Sequence, residues 1–233
     1  MMKKLGRRLV DATLLPLVGY VSRRVAISPH SVVHETIRRA VVDSTDYADS
    51  HMAHAICFND IEPLWRYAFG LRQISGLAVE FGVWRGKSIS FFASLTKERI
   101  YGFDSFEGLR EDWKGAKLPK GTFNLGGVLP SVPDNVTLIK GWFQDTLPPF
   151  LREHSEAFSF LHVDCDTYES TAFVLNAAQD RIKKGTVIVF DEYFGYRGWR
   201  LAEYKAWQEF VAAHDLSYEY VAFQNEIVVV VVT

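Results

Sequence analysis

Phe158-Ser159-Phe160-Leu161-His162-Val163 runs directly into Asp164-Cys165-Asp166, and Val187-Ile188-Val189-Phe190 into Asp191-Glu192. Each is a near-continuous apolar run closed by carboxylates. A parallel strand buried on both faces reads this way, and open α/β sheets hold ligands at the carboxyl ends of such strands. Four carboxylates at neighbouring strand tips repel one another unless a cation, a proton or a cationic ligand lies among them. A metal-assisted or cation-handling site is therefore the first expectation.

Working outward, strand-like runs alternate with helical stretches from about residue 77, as in an α/β sheet. Strands are expected at Leu77–Gly82, Arg99–Phe103, Val136–Gly141, Phe158–Asp164 and Thr186–Phe190, with a helix over Ser88–Thr96. Leu201, Tyr204, Trp207, Phe210 and Val211 fall on one face of a helix spanning Leu201–His214. Tyr218–Phe223 and Ile227–Val232 are joined by three residues, so they must pair antiparallel. The expected fold is a mostly parallel, Rossmann-like sheet with a final antiparallel strand and helices on both faces. Residues 1–76 read as a helical N-terminal extension, part of the same domain or a cap on it, and 77–233 as the ligand-binding domain. Within 109–134, glycines and prolines break any regular element; an insertion of this length is expected to be a flap over the crevice or a plain surface loop.

The 233 residues suit one domain of ordinary size, and 48% hydrophobic with 23% charged residues is the balance of a globular enzyme. A net charge of -2 argues against a general grip on nucleic acid. Cys57 and Cys165 are too few and too far apart for a disulfide framework, and a reducing, cytoplasmic setting is expected. Lys3, Lys4, Arg7 and Arg8 precede the apolar stretch 9–21, which Asp11 and Pro16 interrupt. That stretch is too short and broken to span a bilayer. It reads as a helix packing on the domain or on a second copy of the chain, with peripheral membrane contact as the alternative.

Val79-Glu80-Phe81-Gly82-Val83-Trp84-Arg85-Gly86-Lys87-Ser88 joins the first strand to its helix. Gly82 and Gly86 allow a tight turn, but the spacing is not that of a dinucleotide loop. Glu80 would oppose a pyrophosphate and suits a cationic cofactor. Asp104, 22 positions after Gly82, stands where a strand-end acid can bind ribose hydroxyls, and Ser105 follows it. With Gly141-Trp142-Phe143 after the third strand, these residues form a candidate adenosine site.

Together these segments resemble the class I S-adenosylmethionine-dependent methyltransferases, and within them the macrocin O-methyltransferase group. The matching stretches are 79–86, Asp104-Ser105-Phe106-Glu107-Gly108-Leu109, Gly141-Trp142-Phe143-Gln144-Asp145-Thr146-Leu147-Pro148, 164–171 and 187–193. The resemblance implies an O-methyltransferase acting on a hydroxyl of a sugar, glycolipid or glycosylated small molecule, with S-adenosylmethionine and Mg²⁺ or another divalent cation. It implies cofactor contacts from Glu80, Gly82, Gly86, Ser88, Asp104, Ser105, Trp142, Phe143 and Asp164. Asp164, Asp191 and Glu192 match metal-binding carboxylates and Asp166 a general base. Glu192 departs from the Asp that relatives often carry, and 194–200 does not look like the antibiotic-modifying enzymes. Rival readings are a metal-independent methyltransferase on an amine or phenol, a nicotinamide-dependent oxidoreductase, and a methyltransferase-like domain that only binds partners. Tyr193, Tyr196, Trp199 and Arg200 either line an acceptor pocket or pack against the flap. His162, within an apolar strand, reads first as a satisfied core histidine.

Overall fold

The computed structural model describes residues 31–113 and 118–233. The basic stretch at the N-terminus lies outside them. The chain divides into two compact units, Met1–Arg39 and Ala40–Thr233. In the first, Glu35 pairs with Arg38 at 2.9 Å and with Arg39 at 2.8 Å. No helix among the described residues is long and apolar enough to cross a membrane.

The elements in order are α1 (Val32–His51), β1 (Ile56–Cys57), α2 (Ile61–Gly70), β2 (Leu77–Phe81), α3 (Lys87–Ser94), β3 (Ile100–Asp104) and β4 (Val136–Lys140). Then follow α4 (Phe143–Glu153), β5 (Phe158–Val163), α5 (Tyr168–Ala177), β6 (Val187–Phe190), α6 (Glu203–His214), β7 (Tyr218–Gln224) and β8 (Ile227–Val232). One eight-stranded sheet has the order β1-β7-β8-β6-β5-β2-β3-β4. All pairings are parallel except those of β8 with β6 and β7, so the fold is the Rossmann-like, mostly parallel sheet the sequence implies. The strands expected between 77 and 232 all form, each within about two residues of its expected ends.

Strand alternation divides the core. Val79, Phe81, Phe103, Leu161 and Phe190 face one side with Leu147, Val174 and Trp207 of α4, α5 and α6. Ala78, Phe160 and Val189 face the other, against Leu64 and Trp65 of α2 and Phe92 of α3. Helices thus cover both faces, which is why β5 and β6 are buried at every position.

Two details depart from the sequence reading. A two-residue strand, β1, lies in the stretch expected to be mainly helical and pairs in parallel with β7. Leu201, assigned to the apolar face of the last helix, sits instead in a 3-10 turn at Trp199–Leu201 and is 64% exposed. The helix begins at Glu203, whose side chain is wholly buried.

Candidate active site

A cavity of about 350 Å³ opens at the carboxyl ends of β2, β3, β5 and β6. The switch point of the sheet lies there: β2 leads on to β3 and β4 on one side, while β5 and β6 return on its other side. Gly82, Ser88, Asp104, Ser105, Trp142, Phe143, Asp164, Asp166, Asp191 and Glu192 all line it. Of the residues assigned from the sequence to cofactor, metal or catalysis, Glu80 and Gly86 do not.

Gly82 has φ +92° and lies so close to the tip of β5 that a Cβ would come within 1.7 Å of the Asp164 carbonyl oxygen. The adjoining backbone bond, Asp164 N–H to Phe81 O at 2.9 Å, holds the two strand tips together. Gly86 turns at φ +78° into α3. Its Cα faces Pro130 and Val132 of the long loop rather than the cavity. Asp104 accepts three backbone hydrogen bonds, from Val83 at 2.9 Å and Trp84 at 2.7 Å on Oδ2 and from Phe106 at 2.7 Å on Oδ1. The carboxylate therefore pins the turn after β2 to the turn after β3, and has lone pairs left for a ligand hydroxyl.

Glu80 lies under the floor, 1% exposed, and accepts from Ser88 Oγ at 3.0 Å. Its other oxygen is 3.0 Å from His162 Nδ1, and His162 Nε2 is 3.4 Å from Asp191 Oδ1. Burial pushes the Glu80 carboxyl above its usual range. Burial disfavours charge on His162, but Asp191 and Glu80 more than offset it and hold the imidazolium form well above the ordinary histidine range. His162 is a core histidine, as its strand position suggests, and its two partners are both carboxylates of the site.

Ligand atoms of His162, Asp164 and Asp191 lie within 4.8 Å of one another, as do those of Asp164, Asp166 and Glu192. Asp164 belongs to both groups. Glu192 Oε2 is buried without a hydrogen-bond partner among the described residues. A buried, unpartnered carboxylate oxygen among further carboxylates fits a hard divalent cation, which takes oxygen ligands. Burial, reinforced by Asp191, pushes the Asp164 carboxyl well up. Burial, with Asp191 and Asp104, pushes Asp166 up to about 7. Burial also raises Glu192, with Asp166 and Asp164 adding to the effect. Asp166 has φ +63°, and the cap of α5 is Thr167, whose hydroxyl accepts from Ser170 N–H at 3.3 Å.

Two contributions were not evident in the sequence. Glu203 accepts from the Cys165 and Glu192 backbone N–H groups at 3.4 and 3.1 Å, holding both acidic tips from below. Ile61 and Trp65 of α2 form part of the cavity wall. Tyr193 and Trp199 are buried in the core, Arg200 pairs with Asp43 at 3.0 Å, and Tyr196 packs edge-on against Trp113 of the loop, with centroids 5.6 Å apart. Tyr196 thus meets the loop, Tyr193 and Trp199 the core and Arg200 helix α1, and none of the four lines the cavity.

The matched family model, described as a methyltransferase domain, spans residues 79–193. A tetracenomycin 4'-O-methyltransferase of Streptomyces olivaceus, named for its dimethoxy-rhamnosyl substrate, is 31% identical over 52% of this chain and 54% of its own length. Mycinamicin III 3''-O-methyltransferase of Micromonospora griseorubida is 27% identical over 52% of this chain and 56% of its own. The chain thus spans about half the length of the curated relatives it matches. Among solved structures, the calicheamicin methyltransferase CalS11 superposes with a TM-score of 0.60 at 21% identity, covering 73% of this chain and 77% of that one. The O-methyltransferase NovP gives 0.53 at 21% identity, covering 72% and 77%. The residues of the cavity floor, from Gly82 to Glu192, lie within the stretch 79–193 that matches a methyltransferase domain, and the sheet has the fold of the solved methyltransferases.

Proposed function

We propose that the chain moves the methyl group of S-adenosylmethionine onto a hydroxyl of a sugar or glycosylated small molecule. The observation that carries this reading is the floor of Asp164, Asp166, Asp191 and Glu192, which shares one cavity with Gly82 and Asp104. The named sugar O-methyltransferases among the relatives support the acceptor class.

Gly82, Ser88, Asp104, Ser105, Trp142 and Phe143 are assigned to the cofactor, with Asp104 on its ribose. Glu80 acts on the cofactor end through Ser88 rather than by direct contact. Asp164, Asp191 and Glu192 are assigned to a divalent cation such as Mg²⁺. When bound, such a cation lowers the pKa of an attached oxygen and fixes its position. Asp166 takes the hydroxyl proton as the oxygen–carbon bond forms and the carbon–sulfur bond breaks. Its carboxyl, held near 7, is matched to proton transfer at neutral pH. Glu203 keeps both acidic tips in place, so the reacting groups are positioned before the acceptor arrives.

The test is transfer of labelled methyl from S-adenosylmethionine to a panel of glycosylated hydroxyl acceptors, with Mg²⁺ or with EDTA. Methylation that requires Mg²⁺, and falls by about 10²–10⁴ in Asp166→Asn while S-adenosylhomocysteine still binds, supports the assignment. Turnover indifferent to EDTA removes the cation from it. Failure to bind S-adenosylhomocysteine removes the reading altogether.

A further inference from the structure

An unbroken hydrogen-bonded chain runs beneath the cavity, from Ser88 Oγ to Glu80, from Glu80 to His162 Nδ1, and from His162 Nε2 to Asp191. Its two ends, Ser88 and Asp191, line the cavity. Its two middle members do not, being 1% and 0% exposed. The sheet builds it directly, because Glu80 and His162 are registered neighbours across β2 and β5. Both side chains point to the same face, where Trp65 and Phe92 close over the imidazole with ring centroids 6.0 and 5.2 Å away.

An imidazole placed only to satisfy Glu80 needs one nitrogen for the task. Here the second nitrogen reaches a half-buried carboxylate of the proposed cation site. We propose that His162 is a positioning residue through which the cation site and the cofactor end strengthen each other's binding. The proposal rests on the function proposed above. A cation on Asp191 draws charge from that carboxylate and weakens its hold on His162. The imidazole then binds Glu80 more tightly, and Glu80 in turn fixes Ser88 and the turn beginning at Gly82. By linkage, a cofactor that orders this turn improves cation binding by the same factor.

Calorimetry on the whole chain tests this, with S-adenosylhomocysteine and Mg²⁺ each titrated alone and in the presence of the other. Asn in place of histidine presents its amide near the Nδ1 position, so His162→Asn keeps the Glu80 contact and drops the Asp191 contact. Ser88→Ala cuts the chain at its other end without touching the imidazole, and serves alone if His162→Asn fails to fold. In the wild type, saturating Mg²⁺ should tighten S-adenosylhomocysteine binding by about tenfold. In both variants that ratio should fall to within about twofold of unity. Ser88→Ala also removes a residue assigned to the cofactor, so its S-adenosylhomocysteine affinity should drop with and without Mg²⁺ and only the ratio is read. A wild-type ratio of one, or an unchanged ratio in the variants, overturns the proposal. Absence of any S-adenosylhomocysteine binding by the wild type instead overturns the function on which it rests.

Discussion

Glu203 Oε2 accepts the backbone N–H of Glu192 at 3.1 Å, from the first residue of a helix that follows β6 by a dozen positions. Its other oxygen takes the N–H of Cys165 at 3.4 Å. One buried carboxylate therefore ties together the tips of β5 and β6, where the four cavity carboxylates sit. Glutamine in its place offers one acceptor and turns an amide N–H₂ toward a second donor. Glu203→Gln should cost about 1–3 kcal/mol in urea denaturation, the price of a buried donor left unpaired. Its methyl-transfer rate should fall even where the protein is folded. A variant with wild-type stability and rate would show that the tips hold themselves.

The acidic floor also sets the pH dependence of stability. Asp164, Asp166, Glu192 and Glu203 all have carboxyls raised above their ordinary values, principally by burial. The native state thus binds these protons more tightly than the unfolded chain does. The resulting stabilisation is complete below the ordinary carboxylate values of 3.8 and 4.5 and is lost as pH rises through the folded ones, which for Asp166 is about 7. His162, also raised, acts in the same direction. The lowered carboxyls, Glu35 and Asp43, exert their opposite effect only in more acid solution. Without divalent cation, the melting temperature followed by circular dichroism should fall between pH 5 and pH 8, and Mg²⁺ should restore it at pH 8. A melting temperature that rises across this interval would contradict the burial of uncompensated carboxylates.

The loop after β3 is tied to both sides of the cavity. Glu111 accepts the Thr167 hydroxyl at 2.8 Å, next to Asp166, and Arg110 donates to Gln144 at 2.9 Å. Leu109, Arg110 and Phe123 from this loop line the cavity. Breaking the first tie with Glu111→Ala should raise the acceptor KM by roughly tenfold, the worth of one charge-assisted hydrogen bond. S-adenosylhomocysteine affinity should change by less than about twofold, since Asp104 and the turn after β2 are untouched. Equal effects on both ligands would mean that the loop serves the whole cavity rather than its acceptor side.

The strands that carry the site were legible because burial on both faces leaves continuous apolar runs, and the carboxylates that end β5 and β6 stand out against them. Other features depend on the fold and leave no local trace. The β1 strand is two residues long, and it exists through main-chain pairing with β7. Helix α4 contains Pro148 and Pro149, residues whose local preference is against a helix interior. Glu203 resembles a surface residue of an amphipathic helix until the two N–H groups it accepts are brought to it from 11 and 38 positions away. His162 reads as core in any register. Only the pairing of β2 with β5 shows that its neighbour is Glu80.

The same pairing makes Gly82 a strict requirement. Gly82 and Gly121 both have positive φ, +92° and +82°, so alanine strains the backbone at each. They differ in what surrounds them: a Cβ at 121 meets nothing within 4 Å among the described residues, whereas at 82 it meets the Asp164 carbonyl oxygen at 1.7 Å. Gly121→Ala should therefore cost only the conformational penalty of about 1–2 kcal/mol. Gly82→Ala must also push the tip of β2 away from β5, breaking the Asp164 N–H to Phe81 O bond and displacing Asp164 from the floor. Its cost should exceed about 4 kcal/mol, in the range reserved for disrupted cores and strained backbones. Urea denaturation of the two variants side by side measures the difference. Equal, small losses would mean that the tips of β2 and β5 can separate freely, and that the close approach is not what holds Asp164 beside the cofactor turn.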